Sequence, residues 1–195
     1  MTLFFTSDLH LGHENLVIKG YRPFSSVDEM NNTLIDNWND LVSEDDIVVI
    51  LGDLVMGQRT KTLPLVSRLN GYKMLYCGNH DYPFVGCRAK EQAKISDYFA
   101  LAGLHFIDQN GSGQMDIGGH QVNLCHFPYS GDHTDEERFT EHRLADDGKV
   151  LLHGHVHDMW KVNGRQINVG VDVWNFCPVP KSDIVDLINE MERGN

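Results

Sequence analysis

Basic residues are in short supply in this chain. Sixteen Lys and Arg stand against 28 Asp and Glu, a formal net charge of -12 over 195 residues. Long nucleic acid is held mainly through many Lys and Arg contacts to phosphate, so it is a poor partner for such a protein. A small anionic substrate drawn to a local metal centre stays compatible with the charge. Cysteine is scarce too: Cys77, Cys87, Cys125 and Cys177 show no CxxC spacing. That argues against a thiolate zinc clamp and a disulfide framework, and the four read as reduced, mostly buried thiols. No apolar run approaches the roughly 20 residues of a membrane helix. No basic stretch or cleavage site precedes Leu3-Phe4-Phe5, and a cytoplasmic location is the expectation. Pro/Ser-rich linkers, internal repeats and low-complexity tracts are also missing. The expectation is one domain spanning residues 1–195, long enough for a sizeable core.

What is present is a set of apolar runs that each end in a group able to hold a metal. Lys73-Met74-Leu75-Tyr76-Cys77 runs into Gly78-Asn79-His80-Asp81. The first run closes on Asp8-Leu9-His10 and Ile47-Val48-Val49-Ile50-Leu51 on Gly52-Asp53. A later run ends at His126, and Val150-Leu151-Leu152 leads to Gly154-His155-Val156-His157. Any one of these residues alone reads as a turn residue or a hydrogen-bonded histidine. Carboxylate, imidazole and amide oxygen together, without thiolate, suit Mn(II), Fe, Zn or Ni. His155 and His157 would share one face if their strand continued regularly.

The ordered set Asp-x-His, Gly-Asp, Gly-Asn-His-Asp, His, Gly-His-x-His resembles the calcineurin-like metallophosphoesterase superfamily. The start Thr6 to Asn15 looks like that of its small bacterial and phage members. The resemblance implies an α/β fold, a two-sheet β-sandwich flanked by helices. It also implies two divalent ions, Mn2+ foremost. Carried over position by position, Asp8, His10 and His157 hold one ion, Asn79, His126 and His155 the other, and Asp53 bridges them. It further implies hydrolysis of a phosphate mono- or diester through a metal-bridging hydroxide. His80 would serve the leaving group, with Asp81 orienting its imidazole. A nuclease acting on short nucleic-acid ends would share this chemistry but needs a basic groove or stacking platform. Arg88, Lys90, Lys94 and the 138–143 segment are the few candidates. A non-catalytic interaction scaffold would have lost ligands that this chain keeps.

The rest of the chain alternates strand and helix, which argues for a βαβ beginning. Strands are expected at 2–7, 47–51, 73–77, 104–108, 114–117, 121–125, 150–152, 166–169 and 171–173. Helices are expected at 27–42, 62–69, 88–102 and 181–192, with loops at 11–26 and 127–147. Met30, Leu34, Ile35, Trp38, Leu41 and Val42 recur at helical spacing, and Ser26 is a plausible cap before acidic residues. The substrate pocket, for a small phosphate ester, is expected in 11–26, 82–103 and 127–148. There His13, Arg138, His142 and Arg143 face either substrate or solvent. Trp160 and Trp174 read as packing residues. Monoester and diester substrates, and the oligomeric state, stay open at this level.

Overall fold

The computed structural model describes residues 1–87 and 95–193. Arg88, Lys90 and Lys94, and with them the first half of the expected 88–102 helix, lie outside the described residues.

β1 (Leu3–Thr6), β2 (Ile47–Ile50) and β3 (Tyr72–Tyr76) run parallel with β4 (Phe106–Asp108), and β10 (Val179–Pro180) pairs antiparallel to β1. The second sheet holds β5 (Ser112–Ile117), β6 (His120–Cys125), β7 (Leu151–His153), β9 (Gln166–Asn168) and β8 (Val162–Asn163) in that order. There β6, β7 and β9 are parallel. Gly118-Gly119 joins β5 to β6 as the expected hairpin. The continuous β-branched run of β2 suits a strand covered on both faces.

Alternation along the strands divides the apolar residues between two cores. Phe4, Val48 and Ile50 pack with α2 (Val27–Leu41) and α3 (Arg59–Val66), whereas Phe5 and Val49 join Ile117, Val122, Leu124, Leu152 and Ile167 between the sheets. The last helix, α5 (Lys181–Arg193), adds Ile184 and Ile188 to the inter-sheet core. α4 (Ile95–Ala102) contributes Tyr98 and Ala102 to the helical side. These are the two mixed sheets flanked by helices that the resemblance implied.

Ser26 caps α2, its side chain accepting from the Glu29 N–H at 3.1 Å, and Trp38 is buried with Nε1 donating to Asn70 O at 3.0 Å. Several boundaries differ from the expectation. α3 begins three residues early, which puts Pro64 inside the helix instead of in its first turn. A short α1 (Glu14–Ile18) interrupts the expected loop 11–26. The two-residue strands β8 and β10 carry too little periodicity to be seen in sequence.

The run 171–173 is a 3-10 turn, not a strand. Val171 N–H is drawn to Ser7 O across the sheets (3.1 Å), and Val173 and Trp174 then bond back to Gly170 and Val171. Tertiary pairing overrides the β-propensity of the two valines.

Because the paired strands are in register, their carboxyl ends finish at one edge. Thr6 lies opposite Ile50, Leu75 opposite Ile107, and His153 opposite Asn168. The Ser7–Gly170 bridge fastens the two sheets together at that edge. Ligands of parallel α/β sheets collect at such an edge.

Candidate metal centre

All seven predicted ligands meet there. Asp53 Oδ2 lies 3.5 Å from His10 Nε2 and 3.5 Å from His126 Nε2, so one carboxylate oxygen stands between two imidazoles. His10 Nε2 is 3.8 Å from Asp8 Oδ1, and the Asn79 amide oxygen is 3.2 Å from His126 Nε2. One ligand atom each from Asp8, His10 and His157 falls within 4.8 Å of the others, and the same holds for Asp8, Asp53 and His126. The His10 and His157 rings are stacked, 5.2 Å apart and 5° from parallel.

Two observations fit this arrangement to cations. Asp8 Oδ1 and both ring nitrogens of His10 are buried without a hydrogen-bond partner. Such orphaned polar atoms cost free energy unless something else pairs them. The donor set is oxygen and imidazole nitrogen, suited to borderline divalent ions. Strain is also concentrated here. Asp8, His10, Asp53, His155 and His157 all have φ between 49° and 71°. The left-handed region costs about 1–3 kcal/mol for a residue with a side chain, and persists where the surroundings over-determine it.

The glycines of the motifs are there for room. A Cβ on Gly154 would overlap the Ser7 hydroxyl and the Asp8 carboxylate, and one on Gly78 would overlap Asp53 Oδ1.

His155 and His157 do not share a strand face. β7 ends at His153, and the left-handed turn that follows separates them. Each is then backed by a carboxylate. His157 Nδ1 is 3.3 Å from Asp172 Oδ2, and His155 Nε2 is 3.1 Å from Asp132 Oδ2. His126 Nδ1 donates to Leu51 O at 2.7 Å. Such partners fix which nitrogen is left for a metal.

Burial, and the charge of neighbouring His157, push the His10 pKa well below its usual value; burial beside His126 takes His155 down to about 3. Both rings are therefore neutral near pH 7, the form that ligates. Burial also works against protonating His126, but the Asp53 and Asp8 carboxylates outweigh it and raise its pKa.

His80 is the exposed member, its side chain 43% accessible, with Nε2 4.0 Å from Asp53 Oδ2 and its own N–H donating to Asp53 Oδ1 at 2.9 Å. Asp81 is fully buried. Its carboxylate accepts from the N–H groups of Asp53 (2.8 Å), Gly78 (2.9 Å) and Leu54 (3.1 Å). The structure thus places Asp81 on the backbone of two motif turns, not on the His80 imidazole. Burial and the Asp53 charge push its pKa up, against the pull of those amides.

The cleft above these groups has a volume of about 480 Å³, with His13, Tyr21, His133, Arg138 and Met159 around its wall. His13 and Arg138 therefore border the cleft. His142 instead packs edge-on to Phe84 at 4.8 Å, and Arg143 is tied to Asp132, Glu137 and the Arg138 carbonyl. Trp174 donates to Asn168 O and packs under Lys161, and Trp160 sits against Gly131.

Asp132, Asp172 and Arg22 carry no signal in the sequence, and His133, without a motif partner there, is assigned no role. Asp132, His133 and His155 also lie close enough to share an ion, but the Asp132 carboxylate is already paired with Arg138 at 2.8 Å and Arg143 at 3.4 Å. It reads as a support for His155. No local signal marks Arg22 or Asp172, which meet each other across 150 residues.

The family described as calcineurin-like phosphoesterase matches residues 1–159. The chain belongs to that family, whose chemistry is metal-dependent hydrolysis of phosphate esters. It is similar to the gene 66 protein of Mycobacterium phage L5, 38% identical over 203 residues that cover 97% of this chain and 95% of that one. It is also similar to the uncharacterized protein MJ1445 of Methanocaldococcus jannaschii, 32% identical over 197 residues, 96% of this chain and 92% of that one. Among solved structures, AQ665 from Aquifex aeolicus, itself of unknown function, superposes with a TM-score of 0.70 at 24% identity. That match covers 95% of this chain and 98% of AQ665. It speaks for the fold alone. No helix among the described residues is long and apolar enough to cross a membrane.

Proposed function

We propose that the chain is a dinuclear-metal phosphoesterase that hydrolyses a small phosphate mono- or diester. The observation that carries this reading is Asp53 Oδ2, equidistant from His10 and His126 at 3.5 Å, where a shared ligand would sit. Asp8, His10 and His157 would hold one ion and Asn79, His126 and His155 the other. Bound there, two divalent ions would supply an acidified water and positive charge against the phosphoryl oxygens.

The chain's own groups do the rest. Asp53 holds the two halves of the site in one geometry and also accepts the His80 N–H, which fixes the turn carrying that imidazole. His80, open to the cleft, donates a proton to the departing ester oxygen as the P–O bond breaks. Oxygen from water forms the new bond to phosphorus. Proton transfer of this kind gives about 10²–10⁴ in rate. The acidic surface supports a small ester over a long polyanion.

The test is reconstitution with Mn(II), followed by turnover of bis-p-nitrophenyl phosphate and p-nitrophenyl phosphate. His80→Ala is expected to keep both ions and lose about 10²–10⁴ in kcat, and Asp53→Asn to lose metal and turnover together. Full activity in Asp53→Asn would remove the dinuclear assignment.

A further inference from the structure

Arg22, on the loop between α1 and α2, is one of the largest fully buried side chains, with 1% of its surface exposed. Its guanidinium reaches three parts of the site. Nε donates to Asp172 Oδ1 at 2.7 Å and one terminal nitrogen to Asp172 Oδ2 at 2.9 Å. The same nitrogen donates to the Asp8 carbonyl at 2.6 Å, and the other to the Leu9 carbonyl at 2.9 Å and toward Met30 Sδ at 3.7 Å. Asp172 in turn accepts from His157 Nδ1 at 3.3 Å.

An arginine beside a phosphoesterase cleft invites the reading of a phosphate clamp. The contacts argue otherwise. A guanidinium has five N–H donors, and the five contacts above engage each of them with protein. A clamp for substrate would keep donors and exposed surface in reserve.

The carbonyls it holds belong to Asp8 and Leu9, inside the turn where Asp8 and His10 have φ of 56° and 49°. The carboxylate it holds sits behind His157. It accepts from His157 Nδ1, which holds the ring as the Nδ1–H tautomer with Nε2 left for a metal.

We propose that Arg22, acting through Asp172 and the Asp8-Leu9 carbonyls, is the positioning residue for one of the two metal positions, that of Asp8, His10 and His157. This rests on the dinuclear reading above. The planar fork is the reason for arginine: a lysine ammonium can meet neither the side-on carboxylate nor the diverging carbonyls together.

The test follows Mn(II) binding by calorimetry and by electron paramagnetic resonance in the wild type, Arg22→Gln, Arg22→Lys and Asp172→Asn, each first checked for a cooperative unfolding transition. Loss of a partner behind a metal-binding histidine costs about 10–100-fold in affinity. Arg22→Gln and Asp172→Asn are expected to lose that much at one ion and little at the other. The spin-coupled signal of a pair should give way to that of an isolated Mn(II). Arg22→Lys should not rescue it, and inhibition by inorganic phosphate at saturating metal should be unchanged.

If both ions bind Asp172→Asn as tightly as wild type, the positioning role is overturned and the dinuclear reading stands. If the wild type itself binds a single ion, both fall. Weakened phosphate inhibition with intact metal binding would make Arg22 a substrate clamp and overturn the proposal. Should Arg22→Gln fail to fold, Asp172→Asn, isosteric and still able to accept from His157, decides alone.

Discussion

Asp81 shows how a residue's contacts separate roles that look alike in a motif. Following His80 directly, it reads as a partner for the imidazole. In the fold it is the acceptor for three buried N–H groups, those of Asp53, Leu54 and Gly78. It thereby fixes the turn of Asp53 against the turn that carries Asn79. Asp81→Asn keeps the shape but offers one acceptor oxygen, and turns an NH2 toward a backbone donor. A buried donor left unpaired costs about 1–3 kcal/mol. The expected result is a loss of that size in urea unfolding, with Mn(II) binding weakened alongside it. A drop in kcat with stability and metal affinity unchanged would instead restore a role beside His80.

At the scale of the elements, the parallel register decides where the loops go, and the turns must hold that register. The turn from α2 into β2 depends on Asp46. Its carboxylate accepts from the Ser43 hydroxyl at 2.7 Å, Ser43 N–H at 2.9 Å and Thr2 N–H at 2.5 Å. These bonds, the Ser43 hydroxyl first, lower its pKa from 3.8 to about 2. A folded-state pKa below the unfolded one stabilises above the unfolded value and is lost as pH falls through the folded value. The contribution is therefore complete above about pH 4 and gone below about pH 2. Asp46→Asn should lower the urea midpoint near pH 6, and the gap to wild type should close between pH 4 and pH 2. A gap independent of pH would assign the loss to shape rather than charge.

For the whole molecule, the two sheets bring Asp8 and Asp53 into one buried region, where like charges oppose folding until cations arrive. Metal should therefore stabilise strongly. An ion at 100 times its Kd adds about 2.7 kcal/mol, which for a protein of this size is roughly 5–11 °C in Tm. Thermal scans with EDTA and with Mn(II) should differ by at least that, and Asp53→Asn should abolish the difference. Equal melting temperatures in the wild type would speak against a metal centre between the sheets.

The ligand motifs were legible because each is short and local. Asp-x-His, Gly-Asp, Gly-Asn-His-Asp and Gly-His-x-His are contiguous, each follows an apolar run, and their order alone carries the family. The strands that deliver them were legible for the same reason, since Ile47–Ile50 or Leu151–His153 can be little else. What surrounds the ligands was not. Asp172 meets Arg22 across 150 residues and His157 across 15, and Asp132 meets His155 across 23.

An aspartate in a polar loop has no local property that distinguishes a surface residue from the anion behind a metal-binding histidine. The valines around Asp172 even pointed to a strand. By itself, then, the sequence determined the candidate metal donors, their order and the sheets that carry them. The tertiary structure alone decided which carboxylate stands behind which histidine, that His155 and His157 part company, and that Asp81 serves the backbone. Those choices depend on how the strand ends meet in space, and hydrogen bonds between remote segments have no counterpart in local periodicity.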